Sequence, residues 1–192
     1  MTHGKTFSNK HPELRPSRRR FAGALGTLLA APGLMLSRHS PAAKAPSRTL
    51  SFDHTHTRER LTITYTAGDR YLPGALTEIN RFLRDFRTGD VHAIDPQLLD
   101  QLHMLASLTA SPAPFEVISG YRSPATNSGL RAHSGGVAEH SLHLDGRAID
   151  IRLPDVKLAE LHAAALSLRA GGVGYYPDSN FVHIDTGRIR RW

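Results

Sequence analysis

Alternating hydrophobic and polar positions predict the strands of this chain. Leu50 and Phe52 alternate with polar residues, as do Leu61, Ile63 and Tyr65, so two strands are expected around a turn at Thr57–Arg58. A period of two is typical of strands with one buried face. Further short apolar runs predict strands at 115–118, 147–151, 172–176 and 181–185. Gly120 is the expected stop signal after the first of these strands.

Hydrophobic residues at helical spacing predict three helices. The first ends at Gly89, the second begins with Asp95 as its N-cap and Pro96 in its first turn, and the third runs from Pro154–Asp155 to about Arg169. The expected inward positions of the three helices are Leu76, Ile79, Phe82, Leu83 and Phe86; Leu98, Leu102, Leu105 and Leu108; and Val156, Leu161, Ala165 and Leu168.

Residues 122–146 show little apolar periodicity and are rich in Ser, Gly, Asn and His. A loop of this length inside a compact domain is more often functional than idle, so a functional loop is predicted here. The resulting order, β-β-α-α-β-loop-β-α-β-β, predicts an α+β fold with a mainly antiparallel sheet and flanking helices.

The charge of the 192-residue chain is concentrated at its beginning. Residues 1–45 contain eight of the 24 basic residues, one of the 17 acidic residues, and an apolar stretch from Phe21 to Leu36 directly after Arg18-Arg19-Arg20. This pattern predicts a twin-arginine-type export signal, with an uncleaved membrane anchor or a basic nucleic-acid-binding tail as alternatives. The remaining domain, 46–192, carries 16 basic and 16 acidic residues, which removes the main argument for a nucleic-acid partner.

The absence of cysteine excludes disulfides, iron–sulfur clusters, thiolate metal sites and thiol nucleophiles. Histidine and carboxylate ligands remain possible. His143 lies near the end of the polar segment 122–146, Asp150 lies between two isoleucines, and His183 is flanked by Val182 and Ile184. A carboxylate in an apolar strand is costly unless it is paired or binds a metal. A zinc site with an open fourth position is therefore one interpretation, and satisfied core histidines with a capping aspartate are the other.

Four motifs resemble those of the zinc D-Ala-D-Ala metallopeptidases, known as the LAS group, which also includes lysostaphin-type enzymes and Hedgehog amino-domain relatives. The motifs are Ser119-Gly120-Tyr121-Arg122-Ser123-Pro124 with Asn127, Gly136-Val137-Ala138, Ser141-x-His143-(x6)-Asp150, and Gly174-Tyr175-Tyr176-Pro177-(x3)-Phe181-Val182-His183-Ile184-Asp185. The resemblance extends from about residue 49 to Trp192 and is greatest to exported murein endopeptidases.

The resemblance implies a single Hedgehog/DD-peptidase-like domain with one zinc ion bound by His143, Asp150 and His183. It also implies that Arg122 meets an oxyanion or a substrate carboxylate, which suits a permanent bidentate cation. Substrate contacts are expected from Arg122, Ser123, Asn127 and His140, with loop shaping as the alternative role of Ser123 and Asn127.

The general base does not follow from the resemblance. Many relatives have His-x-His, or a Glu three residues before the last ligand, whereas this chain has Phe181 and Asn180 at those positions. Asp185 is the candidate base, with orientation of His183 as its alternative role. His133 and His140 are further candidates.

The expected function is that of an exported, periplasmic zinc endopeptidase that hydrolyses D,D or L,D crosslinks between peptidoglycan stem peptides during cell-wall remodelling. The alternatives are a D-Ala-D-Ala carboxypeptidase and a non-catalytic, zinc-containing cell-wall-binding module. Neither a nucleic-acid partner nor a membrane span outside the signal is expected, because no second apolar stretch is long enough to cross a bilayer. The sequence leaves the oligomeric state open.

Overall fold

A seven-stranded mixed sheet forms the centre of the domain. The computed structural model describes residues 46–133 and 138–192. The strands are β1 Thr49–His54, β2 Arg60–Thr64, β3 Thr66–Ala67, β4 Arg70–Tyr71, β5 Phe115–Ser119, β6 Ala148–Arg152, β7 Gly172–Tyr176, β8 Phe181–Asp185 and β9 Arg190–Arg191. The helices are α1 Pro73–Phe82, α2 Pro96–Thr109, α3 Pro124–His133, a short 3-10 helix at Leu142–Asp145, and α4 Leu158–Leu168.

The strand order in the large sheet is β2-β1-β5-β6-β8-β7-β9, while β3 and β4 form a separate hairpin. The pairs β1–β5 and β7–β9 are parallel, and the other four pairs are antiparallel. The predictions of an α+β fold and of a mainly antiparallel sheet are confirmed. The central position of β6 and β8 gives both strands two hydrogen-bonded neighbours, so side chains on them are firmly placed.

Helices α2 and α4 contact each other and pack on the sheet to form the hydrophobic core. Asp95 caps α2 as predicted, because its carboxylate accepts a hydrogen bond from the Gln97 N–H at 2.9 Å and Pro96 occupies the first turn. The buried positions of α2 include Leu98, Leu102 and Leu105, as predicted. Leu108 differs from the prediction, since 55% of its surface is exposed near the end of the helix.

Two helix boundaries differ from the predictions. Helix α1 ends at Phe82 rather than Gly89, because the chain turns through residues 85–89, where Gly89 N–H donates to the Asp85 carbonyl at 2.7 Å. Phe86 therefore lies outside the helix and stacks on His56 at a ring distance of 4.1 Å. Helix α4 begins at Leu158 rather than Pro154–Asp155, since Lys157 has the extended conformation of an N-cap.

The prediction of a continuous loop over residues 122–146 is wrong. Helix α3 begins at Pro124, and the Ser123 hydroxyl accepts a hydrogen bond from the Thr126 N–H at 3.3 Å, in the manner of an N-cap. The helix buries only Thr126 and Asn127, so it has no hydrophobic stripe for a sequence pattern to detect.

The predicted export signal, residues 1–45, lies outside the described residues, as do Gly136 and Val137 of the quoted motifs. Within 46–133 and 138–192, no helix combines the length and the apolar character that a bilayer crossing requires.

Candidate metal centre

Three side chains from different elements meet at one point, as the sequence predicted. His143 lies on the 3-10 helix, Asp150 on β6 and His183 on β8, and all three are buried. Asp150 and His183 are direct partners in the antiparallel β6–β8 register. The His183 Nδ1 and His143 Nε2 atoms lie 2.8 and 3.3 Å from Asp150 Oδ1 and 3.2 Å from each other.

A tight turn positions His143. The Ser141 hydroxyl accepts a hydrogen bond from the His143 N–H at 3.4 Å, and Gly146 ends the 3-10 helix in the left-handed conformation with φ +65°. A Cβ atom at position 146 would overlap the carbonyl oxygen of Ala93. Glycine is therefore required here both for its backbone conformation and for its lack of a side chain.

Hydrogen bonds on the outer side of each imidazole set its tautomer. His143 donates from Nδ1 to the Gly120 carbonyl at 2.7 Å, and His183 donates from Nε2 to Asp185 Oδ2 at 3.1 Å. The lone pairs of His143 Nε2 and His183 Nδ1 then face each other beside the Asp150 carboxylate. Three electron-pair donors around one point require a proton or a cation between them, and two imidazoles with one carboxylate are suitable zinc ligands.

The electrostatics of the three groups support this interpretation. Burial raises the pKa of Asp150, but the neighbouring His143 and His183 outweigh burial and hold the pKa well below its usual range. Burial lowers the pKa of His183, yet hydrogen bonds from its ring to Asp150 and Asp185 raise it to about 9. In the metal-free chain a proton therefore occupies the position between His183 Nδ1 and Asp150, and a divalent cation can replace it.

Asp185 is fully buried, and both of its carboxylate oxygens are occupied. Besides His183 it accepts hydrogen bonds from Gly172 N–H at 3.0 Å, Gly187 N–H at 2.8 Å and two nitrogens of Arg190 at 2.7 and 3.0 Å. It also contacts the ring nitrogen of His183 that faces away from Asp150. These contacts argue against the predicted role as general base and favour the alternative, orientation of His183.

A cavity of about 520 Å³ opens over the three residues, and Arg122 and His140 line it. The Arg122 side chain is only 11% exposed, and its terminal nitrogen lies 3.5 Å from Asp150 Oδ2. Burial lowers the pKa of Arg122 and the Asp150 carboxylate opposes that shift. Among the described residues, the buried Arg122 Nε has no hydrogen-bond partner.

The predicted substrate contacts of Ser123 and Asn127 are not supported by their positions, since both are buried and neither lines the cavity. Ser123 donates its backbone N–H to the buried Asp85 carboxylate at 2.9 Å. Asn127 donates to the carbonyls of Ala138 and Glu139 at 3.3 and 3.4 Å, next to cavity residue His140. These contacts fit the stated alternative, in which both residues shape the loop.

His133 does not line the cavity; its Nδ1 lies 2.8 Å from the Gly129 carbonyl within α3. Two cavity residues, Arg190 and Trp192, were not predicted from the sequence. Gly172 and Gly174 are the sequence signal that could have found them, because glycine inside a strand indicates that another group approaches the backbone closely.

Similarity to known proteins covers the part of the chain that forms this site. The family described as peptidoglycan L,D-endopeptidase MepK matches residues 42–192. The chain is 47% identical over 145 residues to the peptidoglycan L,D-endopeptidase MepK of Escherichia coli strain K12, covering 76% of this chain and 80% of the relative. It is 43% identical over 146 residues to a protein of Haemophilus influenzae described as a probable peptidoglycan L,D-endopeptidase MepK, covering 76% and 78%.

Proposed function

Because the chain belongs to the peptidoglycan L,D-endopeptidase MepK family of metallopeptidases, we propose that it is a zinc-dependent endopeptidase that hydrolyses L,D peptide crosslinks of peptidoglycan. The observation that carries this proposal is the buried group of His143, Asp150 and His183 at the base of an open cavity. Its relatives carry the same activity in their names, which supports the choice of substrate bond.

His143, Asp150 and His183 are the residues that would hold the ion. A zinc ion bound there would polarise the scissile carbonyl and lower the pKa of a water molecule to about 7. The Gly120 carbonyl and Asp185 hold the two imidazoles in the tautomers that a metal needs. Arg122 supplies a fixed positive charge beside Asp150 and lines the cavity, where its guanidinium can stabilise the developing negative charge of the carbonyl oxygen.

We assign the role of proton acceptor to His140, because it lines the cavity and is not one of the three candidate ligands. Among the described residues, the cavity is lined by three histidines, and His143 and His183 both face Asp150 as candidate ligands. The five hydrogen bonds that Asp185 accepts and the position of His133 outside the cavity support His140 over these two residues. A histidine at the rim can accept a proton from a water molecule during hydrolysis and return it to the leaving amine.

The same proposal assigns a role to each of the two parts of the chain. Residues 1–45 would act as a twin-arginine-type export signal, and residues 46–192 would form the catalytic domain with a Hedgehog/DD-peptidase-like fold in the periplasm. The arginine run at 18–20 before the apolar stretch supports export, and the mixed sheet with four helices is compatible with that fold.

The test uses the full chain and purified muropeptides with 3→3 (L,D) or 4→3 (D,D) crosslinks, with and without a chelator. We expect chelator-sensitive cleavage of the 3→3 crosslink and about one zinc per chain by elemental mass spectrometry. His143→Ala should lose both zinc and cleavage, while Leu108→Ala, an exposed change on α2, should retain both. The proposal is wrong if no crosslink is cleaved in a chelator-sensitive way by the zinc-loaded chain.

A further inference from the structure

We propose that Tyr176, Phe181 and Trp192 form an aromatic wall that binds the aliphatic side chain of the diamino acid on the amine side of the scissile bond. This inference rests on the proposed function and adds a substrate subsite to it. All three residues line the cavity. The guanidinium of Arg122 lies beside Asp150 and close enough to Tyr176 for an electrostatic interaction, while Trp192 lies beside His183.

The contacts join the three rings into one surface. Tyr176 and Phe181 stack with a centroid distance of 4.6 Å and an interplanar angle of 20°. The Trp192 indole N–H donates to the Tyr176 hydroxyl at 2.7 Å. The Trp192 ring lies 5.2 Å from the His183 ring, which places the wall directly beside a candidate metal ligand.

The sheet provides space for this wall. Trp192 follows β9, which pairs in parallel with β7, and a Cβ atom at Gly174 on β7 would lie 2.7 Å from the indole. Glycine at position 174 therefore allows the indole to approach the strand. Even so, 48% of the Trp192 surface remains exposed. The Arg190 guanidinium lies 4.8 Å from the centre of the indole ring, and the part of the ring that remains exposed, held by a hydrogen bond and by strand pairing, is suited to bind an apolar group.

The positions and charges of the cavity residues indicate which part of the substrate contacts the aromatic wall. The carbonyl oxygen gains negative charge during hydrolysis, so its side of the bond fits Arg122 next to Asp150. The amine side then extends past His183 toward Trp192. In an L,D crosslink this side begins with a diamino acid, whose chain of methylene groups can cover the rings. A sugar ring of the glycan lies several residues from the bond and does not reach a surface adjacent to His183.

The kinetic test compares two substrates with the same L,D bond: a 3→3-crosslinked dimer of stem tripeptides, and the stem tripeptide extended only by D-alanine. Trp192→Ala should lower kcat/KM about tenfold for the dimer, a factor expected for the lost burial of one or two methylene groups. It should lower kcat/KM for the D-alanine substrate less than about twofold. Trp192→Phe should stay near wild type, and Gly174→Ala, which displaces the indole, should resemble Trp192→Ala.

A second measurement does not require activity. The chain contains one tryptophan and five tyrosines, so fluorescence excited at the long-wavelength edge, where tyrosine does not absorb, reports on Trp192 alone. Titration of the full chain with the free tripeptide that ends in the diamino acid should change the emission saturably. The same tripeptide ending in alanine should not. Thermal unfolding of each variant identifies a change that acts through folding.

The outcomes separate this inference from the proposed function. An equal loss of kcat/KM on both substrates in Trp192→Ala would overturn the aromatic wall, and so would an unchanged fluorescence spectrum in a chain that cleaves the dimer. A chain that cleaves neither substrate refutes the proposed activity, whereas a saturable fluorescence change specific to the diamino acid would still support the wall as a binding surface.

Discussion

Replacement of Asp185 by asparagine tests how the site controls His183. The carboxylate Oδ1 accepts three hydrogen bonds, from Gly172, Gly187 and Arg190, and Oδ2 accepts two, from Arg190 and His183. An asparagine at this position retains more hydrogen bonds when its amide oxygen occupies the place of Oδ1. Its NH2 group then occupies the place of Oδ2 and faces the His183 Nε2–H. Two donors then face each other. His183 is driven to the other tautomer, with a proton on Nδ1 where a metal would bind.

We expect Asp185→Asn to weaken zinc binding by about 10- to 100-fold, the usual effect of removing a group that orients a metal-binding histidine. This factor corresponds to about 1.4–2.7 kcal/mol, in agreement with the net value of one hydrogen bond to a charged group. The assay is a competition titration against a chromophoric zinc chelator at pH 7. At saturating zinc, kcat should stay within about tenfold of wild type, since the reacting groups are unchanged.

Asp100→Asn is the matched control. Asp100 is also a carboxylate with several donors, from Arg48, Tyr65 and Tyr71, but it belongs to a separate hydrogen-bond network on α2. The Asp100→Asn substitution should leave the affinity for zinc unchanged. Unchanged zinc affinity in Asp185→Asn together with a loss of kcat above about 100-fold at saturating zinc would refute the orienting role and restore Asp185 as the base.

Three further predictions concern the cavity residue His140, the release of a proton on metal binding, and Asp85, which accepts hydrogen bonds at the start of α3. His140→Ala should lower kcat about 100-fold with zinc content unchanged, as measured by kinetics and elemental analysis; an unaltered kcat would exclude His140 as the proton acceptor. Zinc binding at pH 7 should release about one proton, because the pKa of His183 is raised to about 9, and calorimetry in two buffers of different ionisation enthalpy measures this release; a value near zero would contradict the protonated metal-free site. Burial raises the pKa of Asp85, but hydrogen bonds from Thr126, Ser123 and Arg87 outweigh burial and lower it to about 2, so its stabilisation is present above about pH 4 and is lost as the pH falls toward 2. Asp85→Asn should therefore lose about 2 kcal/mol of unfolding free energy at pH 7 and little at pH 2, as measured by urea unfolding; a difference independent of pH would contradict the assigned cause.

Six of the nine strands and α2 could be predicted because their signals are local, whereas β3, β4 and β9 are only two residues long; the grouping of His143, Asp150 and His183 was one of two interpretations that the family resemblance then favoured. Alternating hydrophobic and polar residues indicate β1 and β2. The pair Asp95–Pro96 indicates the start of α2 independently of the elements that pack against it. Asp150 was conspicuous because a carboxylate inside an apolar strand requires a partner. Helix α3 was missed because it has almost no buried face. Its Ser123–Pro124 start resembles Asp95–Pro96, and that signal was available.

Gly172 and Gly174 indicate that some group approaches β7 closely, but the local pattern does not say that Arg190 and Trp192 are the groups that do so. Their roles depend on the parallel pairing of β9 with β7, in which Gly172 aligns with Arg190. Arg188 to Arg191 form a short basic run whose composition alone indicates solvent exposure. Only the completed sheet brings the Arg190 guanidinium onto Asp185 and the indole onto Gly174.

The cross-strand pairing of Asp150 with His183 has a consequence for folding accuracy. A slip of β8 by a single residue would turn His183 to the opposite face of the sheet and place an isoleucine or a valine opposite Asp150. The buried carboxylate would then lose its imidazole partner, and the ion would lose a ligand. A metal ion bound at this site would therefore favour correct strand alignment, since only a chain with the native β6–β8 pairing would gain the binding free energy.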